Sequence, residues 1–326
     1  MKSIFFSVII PVYNRPDELD ELLHCLAHQN YSNFEIVIIE DGSKLDSKHV
    51  IEKYQQKLSI QYFIKENEGQ GFARNDAFKL AKGDFFIILD SDALIESNYL
   101  ETVNAGIQQQ NLDLFGGPDK DHPSFTYIQK AISFSMTSFF TTGGIRGKKN
   151  NLGGQFHPRS FNMGISRKVW EATNGFKITR MGEDIEFSIR CISLGFKSGL
   201  LPEAFIYHKR RTSFIQFYKQ LHFFGRARIN ISRFYPKELK LVHYIPLAYF
   251  IFFWNTILMN ILFTELGIYL SGILIFYWLL IFIDGLFQSK NLIVAFLGII
   301  AANIQLLAYG KGFLEEGIQK ITNTNS

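Results

Sequence analysis

The stretch Gly83-Asp84-Phe85-Phe86-Ile87-Ile88-Leu89-Asp90-Ser91-Asp92 decides the fold. Five consecutive apolar residues, bounded by Gly83 and an acidic tripeptide, predict a strand buried on both faces of a mostly parallel sheet. In open α/β sheets, ligands collect beyond the carboxyl ends of such strands. Asp90 and Asp92 stand there on alternate residues. A magnesium-type cation takes one or two protein carboxylates and leaves its other positions to phosphate oxygens and water. The ligand implied is a metal with a diphosphate. The plain alternative is a solvated turn, since Asp and Ser are ordinary turn residues, and Asp-Ser-Asp alone does not choose between the two.

The flanking sequence alternates strand and helix. Phe5 to Val12 reads as a first strand, and Pro16-Asp17 opens a helix to about His28, with proline near its first turn. Phe34 to Ile39 is a second strand, ending in Glu40-Asp41-Gly42-Ser43. A polar helix from about Asp46 to Lys57 and a strand around Ile60 to Ile64 follow. After Gly69 and Gly71, a helix through Ala81 delivers the chain to the Asp-Ser-Asp strand. This order predicts parallel strands joined by right-handed crossovers.

Farther on, Ser97 to Gln110 reads as a helix, Asp113 to Gly117 and Arg159 to Arg167 as strands, and Gly182-Glu183-Asp184 as the opening of a helix to about Leu194. The segment Gly143 to Gly154 is glycine-rich and basic. It fails as a phosphate loop, because no glycine stands five residues before Gly147 and neither Ser nor Thr follows Lys148. A surface loop is expected, with a lid as the weaker reading. Acids such as Glu183 and Asp184 in a first helical turn often do no more than complement the helix dipole. A lone histidine such as His208, closing the run Ala204 to Tyr207, is more often structural than a ligand.

The 326 residues carry a net charge of +4, unevenly placed. Between Leu241 and Gly310, charge is confined to Glu265, Asp284 and Lys290. Tyr244 to Phe263, Leu266 to Ile283 and Leu292 to Tyr309 are apolar runs near the ~20 residues that a bilayer-spanning helix needs. Nine Lys or Arg residues against Glu238 fill positions 209–240. Positive charge beside a first membrane segment marks the cytoplasmic side. The expectation is a multi-pass protein of the cytoplasmic (inner) membrane with its amino-terminal domain in the cytoplasm. Met1 to Phe6 lack the cationic start and apolar core of a signal peptide. Cys25 and Cys191 are too few for a disulfide framework. For Asn255 and Asn260, helix-helix contacts are the simplest role.

Several segments together resemble one family in order and spacing. Ser7-Val8-Ile9-Ile10-Pro11-Val12-Tyr13-Asn14 is similar to the opening strand of inverting nucleotide-sugar glycosyltransferases of the large family 2-like group, whose relatives include cellulose and hyaluronan synthases. Glu40-Asp41-Gly42-Ser43, then Asn67-Glu68-Gly69 with Ala73-Arg74-Asn75, and Leu89-Asp90-Ser91-Asp92 resemble its next three motifs. Gly175-Phe176, Gly182-Glu183-Asp184 and Arg190 resemble its acceptor-side signature.

The resemblance implies a GT-A fold, an α/β domain with a mostly parallel sheet flanked by helices, over residues 1–211. A basic amphipathic interfacial segment (212–240), a transmembrane region (241–311) and a polar tail (312–326) would follow. It implies that Asp41 reads the nucleotide base, with main-chain groups of Pro11, Val12 and Tyr13 lining the base pocket. Arg74 would lie near the base or diphosphate, where its planar fork suits oxyanions. Asp90 would lie by the ribose, and Asp92 would bind a divalent cation, Mn or Mg, with His208 completing the metal site. Asp184 would be the general base, and Glu183 would shape its electrostatics. The donor would be a nucleotide-diphospho-sugar and the acceptor a glycan or polyprenyl-linked sugar at a membrane, with no nucleic-acid partner.

Two departures stand out. Glu40 replaces the first of the family's paired aspartates. Gln220-Leu221-His222-Phe223-Phe224 lacks the Arg and Trp of the Gln-x-x-Arg-Trp motif of processive polysaccharide synthases. Transfer of a single sugar is therefore expected over chain extrusion. A catalytically silent membrane scaffold and a processive synthase are the alternatives. Phe214, Phe217, Leu221 and Phe224, followed by Arg226, Arg228 and Arg233, fit a helix in the lipid headgroup layer or a helix packed on the catalytic domain.

Overall fold

The computed structural model describes residues 3–143 and 156–323, so most of the glycine-rich loop expected at 143–154 lies outside the described residues. The described chain forms two compact units, one of residues 3–122 and 156–209, the other of 123–143 and 210–323.

In the first unit the elements are β1 (Phe6–Val12), α1 (Pro16–Ala27), β2 (Phe34–Asp41), α2 (Lys48–Tyr54), β3 (Ile60–Lys65), α3 (Gln70–Leu80), β4 (Phe85–Leu89), β5 (Ala93–Leu94), α4 (Tyr99–Gln110), β6 (Leu114–Gly116) and β7 (Asp119–Lys120). The second unit contributes α5 (Tyr127–Thr137) and α6 (Phe139–Thr142), after which the first resumes with β8 (Asn162–Ser166), α7 (Arg167–Thr173), α8 (Glu183–Ser193), β9 (Ser198–Leu200) and β10 (Ile206–His208).

The main sheet runs β3-β2-β1-β4-β8-β6-β9. The first four strands are parallel, and β8 enters antiparallel between β4 and β6. The expected mostly parallel sheet is therefore present, with one reversed strand at its centre. Because side chains alternate across a strand, Phe6, Val8, Ile10 and Val12 pack with Leu19, Leu22, Leu23 and Leu26 of α1 on one face. Ile9, Val37, Phe86 and Ile88 meet Ala73, Ala77 and Phe78 of α3, together with Phe187 and Cys191 of α8, on the other. Each large apolar side chain so buried contributes ~1.5–3 kcal/mol.

Ser7 faces the interior as a polar exception. Its hydroxyl donates to Glu35 Oε1 (2.7 Å) and accepts from the Gly83 N–H (2.8 Å), which pins the entry of β4 beside β1. The strand that carries Asp90 and Asp92 is thus fixed in register at its start, and those residues project from its far end. A smaller sheet, β5-β10-β7, starts at Ala93, directly after Asp92.

The second unit is helical. It adds α9 (Phe214–Phe234), α10 (Ile245–Leu262), α11 (Thr264–Ser289) and α12 (Leu292–Asn323). Three helices among the described residues are long and apolar enough to cross a membrane: Leu241–Leu262, Thr264–Ser289 and Leu292–Thr322. The third extends well past the expected Tyr309, so the polar tail expected from residue 312 is helical to Asn323. On that extension the buried Glu316 receives Arg226 Nη2 (3.0 Å) and Arg233 Nη2 (2.8 Å) from α9. Both arginines are about one-third exposed and pair with this buried acid at one edge.

The aromatic face of α9 is internal. Phe217 and Leu221 pack with Ala131, Ile132 and Met136 of α5 and Ala301 and Ala308 of α12. Helix α5 therefore groups with the carboxyl-terminal helices, whereas the sequence placed it in the 1–211 domain. Thr126 and Gln129 start it with a reciprocal capping box. Polar side chains join the apolar helices to one another. Asn303 Oδ1 accepts from Tyr249 Oη (2.5 Å) and Trp278 Nε1 (3.1 Å), and Asn260 Nδ2 donates to Gly267 O and Ser271 Oγ. The helix-helix role expected for Asn260 is the one observed.

Candidate active site

The site is built from loops at the carboxyl ends of β1, β2 and β4, the start of α3, the start of α8 and the end of β10. The loops after β1 and β2 hold each other. Asn14, at φ 53°, accepts the Lys44 and Leu45 N–H groups through Oδ1 (2.7 and 3.3 Å). Pro11, Val12 and Tyr13 close β1, with Val12 buried and Tyr13 half exposed.

Asp41 is buried, and its two carboxylate oxygens accept the Glu68 and Gly69 N–H groups, each at 2.9 Å. These amides anchor the turn into α3. The Glu40 that departs from the family pattern is wholly buried; it accepts from the Ser47 N–H, the Tyr62 hydroxyl and Ser43 Oγ. Its extra methylene reaches three donors around α2, so this acid is structural.

Arg74 on α3 is 0% exposed and joins two segments 93 residues apart. Its Nη2 lies 2.7 Å from Asp90 Oδ1, and its Nη1 lies 3.5 Å from Glu183 Oε1. The Phe176 ring supports the guanidinium at 5.5 Å. Nε and Nη1 are buried and make no hydrogen bond among the described residues.

Asp92 is held from two sides. Arg15 Nη1 lies 2.6 Å from Oδ2, and His208 Nε2 lies 3.0 Å from Oδ1. The approach of His208 follows from strand pairing: β10 runs antiparallel to β5 with His208 opposite Ala93, the residue after Asp92. Phe161 stacks on the imidazole at 5.2 Å. Burial pushes the Asp92 carboxyl up, but His208 and Arg15 outweigh it and hold it well below the usual carboxylate range.

One donor atom from each of Asp90, Asp92 and His208 falls within 4.8 Å of the others. Two carboxylates and an imidazole suit a divalent cation, and the residues present fit such an ion.

Glu183 and Asp184 open α8 after two successive left-handed residues, Met181 (φ 62°) and Gly182 (φ 98°). A φ of that kind is strained for methionine and tolerated by glycine, and it turns both acids into the first helical turn. Glu183 is buried, and Gln70 donates to it. Burial, then the neighbouring Asp184, raise its carboxyl above the usual range against the opposing pull of Arg74. Asp184 is more exposed; its Oδ1 accepts the Ile185 N–H (2.8 Å), and Arg159 Nη1 stands 3.5 Å from Oδ2.

Arg74 thus links Asp90, which groups with Asp92 and His208, to Glu183, the chain neighbour of Asp184, while Asp41 holds the turn into α3. The structure adds Arg15, Gln70 and Arg159. Of these, Arg15 had a readable signal: a cation just before the first turn of a helix opposes the helix dipole, so a partner elsewhere was to be expected.

The sequence model described as Glycosyl transferase family 2 matches residues 7–171. The poly(ribitol-phosphate) beta-N-acetylglucosaminyltransferase TarS of Staphylococcus aureus (strain Mu50 / ATCC 700699) is 36% identical over 113 residues, which are 33% of this chain and 20% of TarS. The chondroitin synthase of Pasteurella multocida (strain Pm70) is 37% identical over 123 residues, 36% of this chain and 13% of that protein. The matched segments therefore span a fifth or less of these relatives. Among solved structures, the mannosyltransferase PcManGT from Pyrobaculum calidifontis, in complex with GDP-Man and Mn2+, has a TM-score of 0.62 at 14% identity, over 98% of this chain and 89% of its own. That likeness is one of fold.

Proposed function

Because the chain belongs to glycosyl transferase family 2 and has its GT-A fold, we propose that it is a membrane-anchored, metal-dependent, inverting glycosyltransferase. It moves a sugar from a nucleotide-diphospho-sugar to a hydroxyl of a glycan or polyprenyl-linked acceptor.

The Arg74 bridge carries this reading. One buried guanidinium reaches both Asp90, of the pair implied for donor and metal, and Glu183, next to the implied base, which supports one site for donor and acceptor chemistry. Asp90, Asp92 and His208 are the residues to hold the cation, which when bound neutralises charge growing on the leaving diphosphate. The imidazole favours Mn over Mg. The Arg74 charge favours the same developing negative charge. Asp41, Pro11, Val12 and Tyr13 line the end of the sheet where the base would lie.

The two acids at the start of α8 divide their roles by environment. Glu183, buried beside a like charge, is pushed toward its neutral form. Asp184, less buried, is the acid that meets the incoming hydroxyl. As the acceptor oxygen bonds to the anomeric carbon, the bond from that carbon to the diphosphate breaks, and the acceptor proton passes to Asp184. General-base help of this kind supplies ~10²–10⁴-fold. A single displacement inverts the anomeric centre. The apolar helices support anchoring in the cytoplasmic membrane, and the basic residues before them support a catalytic domain on its cytoplasmic side.

Purified protein is screened with UDP-, GDP- and other nucleotide sugars and Mn2+ for release of the nucleoside diphosphate. Release with one donor, dependent on the metal and yielding an inverted product by NMR, is the expected result. No release with any donor, or a retained anomeric configuration, overturns the proposal.

A further inference from the structure

Arg15 is a cation at the site that the motif pattern does not account for. It precedes α1 without a side-chain cap, where a positive charge opposes the helix dipole. It stays because two acids hold it: Nη1 lies 2.6 Å from Asp92 Oδ2, and Nε lies 3.3 Å from Glu18 Oε2. The guanidinium is about one-third exposed, whereas the Asp92 side chain is 8% exposed. Arg15 therefore reaches in from the rim to neutralise a carboxylate that has little water around it. In the same neighbourhood, Asp90 carries Arg74 and Asp92 also meets His208.

Resting on the reading of this site as one for a divalent cation and a nucleoside diphosphate, we propose that Arg15 is a positioning residue that couples the two ligands. While the site awaits both, Arg15 holds Asp92 and stands in for the missing positive charge. Asp92 exchanges Arg15 for the cation, and Arg15 passes to an oxygen of the incoming diphosphate, the group whose negative charge arrives with the metal.

Two consequences of opposite sign follow. Arg15 competes with a divalent cation added alone, because a guanidinium and a dication cannot both saturate one buried carboxylate without repelling each other. Arg15 also favours the diphosphate once the cation is in place, because it is then an unspent bidentate donor for phosphate oxygens. The binding of each ligand strengthens that of the other, and Arg15 supplies part of that coupling.

Mn2+ binding is measured by calorimetry on the full-length protein in detergent, first alone and then with saturating UDP, with GDP replacing UDP if UDP does not bind. The same titrations are run on Arg15→Gln and Arg15→Lys, with thermal unfolding as a check of folding. In Arg15→Gln the affinity for Mn2+ alone rises roughly tenfold and that for the nucleotide with Mn2+ falls roughly tenfold, within the range of ordinary coupling between sites. Arg15→Lys, which keeps the charge, restores most of both. A variant in which both affinities fall together, or neither changes, overturns the inference; a merely structural Arg15 gives the first of these. If the unsubstituted protein binds neither Mn2+ nor a nucleoside diphosphate, the reading of the site itself fails, and the inference falls with it.

Discussion

Replacing Arg74 by methionine tests the bridge on which the site depends. The guanidinium is 0% exposed and faces two acids, Asp90 at 2.7 Å and Glu183 at 3.5 Å. The substitution keeps most of the packing against Phe176 and removes the charge. The two acids respond differently. The Asp90 side chain is 30% exposed and can be rehydrated; that of Glu183 is 5% exposed and cannot. Removing one partner of a buried pair costs ~3–5 kcal/mol when the other is left charged; nearly all of that falls on Glu183, and the upper end is reached only above the pH at which this acid takes up a proton. For a unit of this size each kcal/mol lowers Tm by ~2–4 °C, so a loss of roughly 6–20 °C is expected by thermal unfolding in detergent. Adding Glu183→Gln to Arg74→Met removes the stranded acid, keeps an amide for Gln70, and recovers at least half of the lost Tm. If the double variant is no more stable than Arg74→Met, the cost lies in packing, and the electrostatic account of the bridge is wrong.

Asp92→Ala is expected to abolish Mn2+-dependent nucleotide binding in calorimetry; retained metal dependence would remove Asp92 from the metal site. In the helical unit, Arg226 and Arg233 are about one-third exposed while Glu316 is 5% exposed. The double replacement by alanine therefore costs ~3 kcal/mol and Glu316→Gln about 1 kcal/mol, an order that unfolding midpoints check and that a solvent-exposed cluster would not give. Burial pushes the Cys191 thiol up to about 12. A thiol in that position stays protonated at pH 8, so iodoacetamide should label it at the rate of unfolding; rapid labelling of the folded protein would contradict its place in the core.

The parts of the fold that could be read from the chain were those written in local periodicity. The apolar run Phe85 to Leu89 announced a doubly buried strand, while its acidic end left a ligand site and a solvated turn both open. Pairings across long separations were less legible. His208 reaches Asp92 through the short β5-β10 ladder, which two or three residues of sequence do not specify. The link between Arg15 and Asp92 spans 77 positions. Helix α5 shows a buried face in Ala131, Ile132 and Met136, but a periodic pattern says that a face is covered and not by what, so its membership of the helical unit went unseen. The partner of the α9 charges was hidden for the same reason: the acid that pairs with Arg226 and Arg233 lies in the stretch read as a polar tail. The Glu40 departure, by contrast, has a local cause in the donors around α2.

The most direct test of the central claim is a pair of measurements on one preparation of Asp184→Asn: transfer to acceptor, and Mn2+-dependent binding of the nucleoside diphosphate. Transfer should fall by ~10²–10⁴-fold, while nucleotide affinity stays within about threefold, about 0.6 kcal/mol of the unsubstituted value. Transfer within tenfold of the unsubstituted protein, or loss of nucleotide binding together with activity, would contradict the assignment of Asp184 as the base that faces a donor held by other residues.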